Sequence, residues 1–228
     1  MRSVRGALAA LALLVSSVPP AAAQTPIFGS GRAERAPQAG HAASAFDFYV
    51  LSLSWSPSWC AENDRGARTA QCRKAHGFIV HGLWPQAESG FPQFCRSSEP
   101  ARVPERLGRS LFDLMPSMGL IGHQWRKHGT CSGLSQADYF QTLRAARERV
   151  TLPPALDDAE ERLTPAAIER LLMEANPGLT PDGLAVTCDG GKLDEVRICL
   201  TKDLDFRACR EVDRAGCRAR TLTIPSSR

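Results

Sequence analysis

"FDFYVLSLSWSPSWC", residues 46–60, is aromatic and aliphatic almost throughout and runs into Pro57. Such a run, rich in strand-forming side chains and stopped by a residue that cannot donate to a ladder, reads as a central strand. Working outward from it, "HGFIVHGLW" (76–84) offers Phe78, Ile79 and Val80 for a second strand. After Pro104 the pattern turns helical, with Leu107, Leu111, Leu114 and Met115 at three- and four-residue steps before Pro116. Further helices are expected over 135–150, where Ser135 can cap, and over 164–178, punctuated by Thr164, Pro165 and a closing Gly178. "LAVTCDGGKLDEVRICL" (184–200) reads as a hairpin turning at Asp189, Gly190 and Gly191, with Asp189 and the other turn acids solvated. Strands, then helices, then strands predict a single α+β domain over 45–228, a central antiparallel sheet flanked by helices.

The ends of the chain bound where it works. Residues 1–23 carry Arg2 and Arg5, a short apolar run and Ala21, Ala22 and Ala23, the pattern of a cleaved export signal. The run is about half the roughly 20 residues a membrane span needs. Residues 24–44 are rich in Gly, Ala, Pro and Ser and are expected to be a flexible lead-in that contains an idle His41. The mature protein is therefore expected to be exported, to a periplasm or outside the cell, with no membrane attachment. Losing Arg2 and Arg5 reduces the formal net charge from +4 to +2, so affinity for a polyanion must come from local clustering. Eight cysteines in an exported chain favour disulfides. Their spacing suggests a nested C-terminal pair, Cys188 with Cys217 around Cys199 with Cys209. With no C-x-x-C, zinc ligation is disfavoured.

Two compact strings carry the chemistry: "HGLWP" at 81–85 and "GHQWRKHGTC" at 122–131. On a helix ended by Gly129, His123 and Lys127 fall within about 40° of each other, as do Gln124 and His128. A zinc protease would need histidines at i and i+4 with a glutamate between. Here they are at i and i+5, with Gln124 in place of the acid and a lysine alongside. Two imidazoles and an ammonium suit an anion whose charge rises during reaction: one His takes a proton, one gives a proton, and the Lys holds negative charge. Transphosphorylation by an RNA 2'-hydroxyl needs those parts. It would spare DNA, which lacks the hydroxyl. In the first string His81 is expected at a strand end, Gly82 gives a tight path, Pro85 fixes a turn, and Trp84 offers a surface for stacking a base.

Together the strings resemble the signature of the ribonuclease T2 family, H-G-L-W-P followed by H-E-W-x-K-H-G-T-C. The first matches throughout, the second everywhere except Gln124. The opening strand is also similar, and the resemblance spans about 45–220. It implies a disulfide-stabilised ribonuclease T2-like fold and bridges Cys60–Cys72, Cys95–Cys131, Cys188–Cys217 and Cys199–Cys209. It also implies His81 and His128 as general acid and base in an order the sequence leaves open, His123 on phosphate, and Lys127 at the transition state. Trp84 would hold the base, with Gln86 and Phe91 or Phe94 nearby. It implies an RNA substrate and no cofactor; no metal is expected, and a monomer is expected, although the sequence carries no sign of oligomeric state.

Gln124 is the departure. On the same helical stripe as His128, a neutral amide in place of a carboxylate should lower that histidine's pKa and slow the enzyme. The rival expectation is a weakened or inactive secreted protein of the same fold that binds RNA without cutting it.

Overall fold

The computed structural model describes residues 46–156 and 161–227. The export signal and lead-in expected over 1–44 lie outside the described residues. In chain order the elements are β1 (Phe48–Trp55), α1 (Ser56–Asn63), β2 (Phe78–Gln86), α2 (Glu105–Arg109), α3 (Met118–Lys127), α4 (Gln136–Glu148), β3 (Glu161–Leu163), α5 (Pro165–Ala175), β4 (Leu184–Asp189), β5 (Lys192–Leu200), α6 (Arg210–Arg214) and β6 (Leu222–Ile224). The class is α+β. The sheet runs β2-β1-β5-β6-β3, with β4 also paired to β5. Its pairings are antiparallel except the short parallel contact of β5 with β6, so it is mixed.

β1 is central because every one of its residues is buried, which fits its nearly unbroken run of apolar side chains. Alternation then assigns the faces. Tyr49, Leu51, Leu53 and Trp55 enter the main core with Leu83, Val196, Ile198 and Leu200. Helices α3, α4 and α5 close that core with Ile121, Trp125, Tyr139, Phe140, Leu143, Ile168 and Leu172. Phe48 and Val50 point the other way, into a smaller cluster with Ala185, Cys199, Cys209 and Val212. Ser52 and Ser54 continue that second face.

Pro57 ends the strand by starting a helix. It occupies the first turn of α1, where a missing N–H costs nothing. Pro85 lies inside β2, not in a turn, and the position is tolerated because β2 is an edge strand. Ser117, Ser135 and Thr164 cap α3, α4 and α5 by accepting from the backbone N–H three residues on. The helix expected after Pro104 is only the five-residue α2. α5 stops at Asn176, ahead of Gly178, whose φ is +94°. The β4–β5 hairpin turns through Gly190 and Gly191 with φ of +52° and +77°, the left-handed pair a two-residue turn requires. The eight cysteines form four disulfides: Cys60–Cys72, Cys95–Cys131, Cys188–Cys217 and Cys199–Cys209.

Candidate active site

The site forms where the β2 edge meets the C-terminal end of α3. Against β1, Gly82 pairs with Ser52 and Val80 with Leu53, which leaves His81 as the extra residue of a β-bulge. A bulge releases its residue from strict alternation and re-aims the side chain. His81 therefore sits within a strand, not at its end, and its side chain is about one-third exposed. A matching irregularity lies in β5: between the pairs Val186–Val196 and Cys188–Leu193, Thr187 faces both Asp194 and Glu195. Thr187 Oγ1 accepts from the Glu195 backbone N–H at 3.0 Å. Glu195 and Arg197 point over β1 at Ser54 and Ser52, their register partners. The two serines are small enough for His81 Nδ1 to meet Glu195 Oε1 across the central strand.

Glu195 is buried, and its other oxygen accepts from Arg197 Nε and Nη2 at 3.0 and 2.8 Å. Ser54 Oγ donates to Oε1 at 3.3 Å. Burial alone would raise this carboxyl, but the adjoining His81 and Arg197 outweigh it and bring the pKa to about 2. Glu195 is thus a carboxylate, not a solvated turn acid. Sequence reasoning missed it. The signal available was an acid and an arginine two residues apart on one face of an otherwise buried strand.

Trp84 spaces the two catalytic candidates. Its ring stacks on His128 with centroids 5.1 Å apart and planes at 25°. The His81 ring meets it edge-on at 5.4 Å. The Arg197 guanidinium lies 5.3 Å from its centroid, and its Nε1 donates to Gln124 Oε1 at 2.9 Å. With those neighbours the indole organises the site from within. A Cβ on Gly82 would run into Gln124 Oε1 and Trp84 Nε1, so this close crossing requires glycine.

α3 presents the second string. His128 is its C-cap residue, with φ −120° and ψ −46°, and its N–H donates to the Gln124 carbonyl at 2.9 Å. The side chain of Gln124 is turned instead to Trp84, which separates the carboxamide's role from the His128 ring. His128 is 4 % exposed, and its Nδ1 has no hydrogen-bond partner among the described residues. Burial, then the charges of Lys127, His81 and His123, push its pKa well below 6.5, against a smaller opposing pull from Glu195.

The remaining candidates divide. Gln86 is buried at the end of β2. Phe91 and Phe94 are exposed at 47 % and 43 %. Phe94 edges toward His123 at 6.4 Å, and its N–H donates to the Lys127 carbonyl at 2.8 Å. The Cys95–Cys131 bridge fastens this loop to the turn after α3. Among the described residues no three His, Cys, Asp or Glu side chains are grouped so as to hold a metal ion.

Residues 46–209 match the sequence profile of the Ribonuclease T2 family. The chain belongs to that family. A ribonuclease of Aeromonas hydrophila is 39 % identical over 177 residues, covering 73 % of this chain and 77 % of the relative. Ribonuclease 1 of Arabidopsis thaliana is 26 % identical, covering 75 % and 70 %. RNase NT, solved with 5'-AMP, superposes with a TM-score of 0.64 at 24 % identity over 79 % of this chain and 98 % of its own. An RNase-related protein from Calystegia sepium shares the fold at TM-score 0.64 and 20 % identity, over 79 % and 97 %. Membership of the ribonuclease T2 family supports ribonuclease activity.

Proposed function

We propose that this ribonuclease T2 protein cleaves single-stranded RNA internally, by acid/base transphosphorylation without a metal. The 2'-oxygen attacks phosphorus and the 5'-oxygen leaves with a proton, giving a 2',3'-cyclic phosphate; water then opens the ring to a 3'-phosphate. The observation that carries the reading is the unequal environment of two imidazoles on one indole. His128, buried among positive neighbours, stays neutral and is suited to take the 2'-hydroxyl proton. His81, beside a carboxylate and partly open, is suited to deliver a proton to the leaving oxygen. His123 binds the phosphate and Lys127 stabilises the charge gathering on its oxygens. Phe91 and Phe94 offer the exposed rings on which bases stack. Four disulfides fit an exported enzyme in an oxidising compartment.

The test is incubation of the oxidised protein with RNA and, separately, DNA in EDTA, with product ends read by mass spectrometry. Cyclic ends from RNA alone, reduced roughly 100- to 10,000-fold in both His81→Ala and His128→Ala, are expected. RNA retarded on a gel but left intact would make the protein a binding module.

A further inference from the structure

Behind the histidine that faces solvent stands a buried ionic pair that the cleavage scheme does not itself use. We propose that Glu195, locked by Arg197, is the positioning residue for His81: it accepts the Nδ1–H hydrogen and so fixes the tautomer that turns Nε2 toward the substrate. This rests on the reading of His81 as a proton-transfer group, but on neither order of acid and base. As acid, His81 must give up the Nε2 proton and keep the other; as base, it must offer an Nε2 lone pair. Both require hydrogen on Nδ1.

Four features support the assignment. The contact is between His81 Nδ1 and Glu195 Oε1, with Nε2 turned away from it. Glu195 is ionised, hence an acceptor only, so the shared hydrogen belongs to the imidazole. The carboxylate cannot swing aside, because Oε2 takes both donors of a guanidinium fork and Oε1 also accepts from Ser54. Two bulges, at His81 in β2 and at Asp194–Glu195 in β5, put the partners on one face over the small Ser52 and Ser54.

The fork makes an isosteric substitution informative. In Glu195→Gln, Arg197 claims the amide oxygen, which leaves the NH2 facing His81 Nδ1. That arrangement favours hydrogen on Nε2 and opposes any on Nδ1. In Glu195→Gln/Arg197→Leu the amide is released and can present its oxygen to His81 again.

The experiment is 15N NMR of the histidine ring nitrogens in the full oxidised chain at alkaline pH, where imidazoles are neutral, with steady-state cleavage of a short RNA alongside. Wild type is expected to carry its hydrogen on Nδ1 of His81. Glu195→Gln should move the hydrogen to Nε2 and lower kcat by about 100-fold or more, with KM changed less than about threefold. The double variant should restore the Nδ1–H form and recover kcat at least about tenfold. Wild-type His81 with its hydrogen on Nε2 would overturn the proposal without any variant, and so would Glu195→Gln with unaltered tautomer and kcat. His81→Ala that still cleaves RNA would instead remove the proton-transfer role of His81, a different failure.

Discussion

His128 occupies a place where a proton is unwelcome, and this has two consequences of traceable sign. For catalysis, a base works when unprotonated. In the role of base proposed for it, His128 would stay competent in acid, because burial, and next Lys127, push its pKa well below 6.5. The acid limb of kcat/KM is therefore expected well below pH 6.5. In Lys127→Met it should move up, while the rate falls by about 100- to 1,000-fold with the lost charge stabilisation. A pH–rate series on both proteins checks this, and an unmoved limb would remove Lys127 from the causes. For stability, the unfolded chain binds a proton near pH 6.5 that the folded chain refuses until lower pH. Between those values the unfolded state holds more protons, so stability present above 6.5 is lost as pH falls toward the folded pKa. His128→Gln should flatten that loss. Urea unfolding of variant and wild type at pH 7.5 and 5 isolates the difference. Glu195 titrates near 2 and acts in a lower window. Gln124 stands where a carboxylate would raise the pKa of His128; in the structure its carboxamide oxygen accepts from Trp84 Nε1, and burial is the largest cause of the lowered His128 pKa.

At the scale of elements, β2 carries the first string as an edge strand with one inserted residue. Its pattern announced a strand, because Phe78, Ile79 and Val80 are strand formers. The bulge was not legible, since an extra residue is defined only against the register of the partner strand. Pro57 was ambiguous for a related reason: the same residue ends a ladder and opens a helix, and here it does both, at the first turn of α1. Gly82 makes the crossing of strand and helix possible. Gly82→Ala should displace the indole or the carboxamide, cost about 1–3 kcal/mol, and lower kcat. Urea titration followed by tryptophan fluorescence, with activity measured beside it, reads both. The loop ahead of α2 is tied to the turn after α3 through Cys95–Cys131, whose cysteines stand 36 positions apart in the chain. Cys95→Ser/Cys131→Ser is expected to cost about 2–4 kcal/mol. Because Phe94 sits on this loop, against His123, KM for RNA should rise more than kcat falls. A kcat loss with unchanged KM would remove the loop from substrate binding.

For the molecule as a whole, the sheet divides labour between its faces. One face closes the large apolar core with α3, α4 and α5, while the other carries the small cluster and the polar side chains of the site. This explains which part of the site could be read beforehand. His81 and Trp84 lie in one short string, and His123, Lys127 and His128 in another, so local spacing could single them out as candidates. Glu195 is 114 residues from His81 and meets it only because β1 lies between β2 and β5. No local pattern encodes that adjacency. The same topology yields a contrast between disulfides. Cys188–Cys217 fastens β4 to the C-terminal segment, where Cys217 N–H also donates to the Val186 carbonyl at 2.7 Å. β5, which bears Glu195 and Arg197, is held independently by β1 on one side and β4 on the other. Cys188→Ser/Cys217→Ser should therefore lower unfolding stability by about 2–4 kcal/mol, yet leave kcat and KM within about twofold wherever the protein remains folded. Denaturant midpoints and RNA cleavage at low temperature separate the two effects. If kcat fell with stability, β5 would owe its position to the bridge, and the sheet register would not suffice to hold Glu195 against His81.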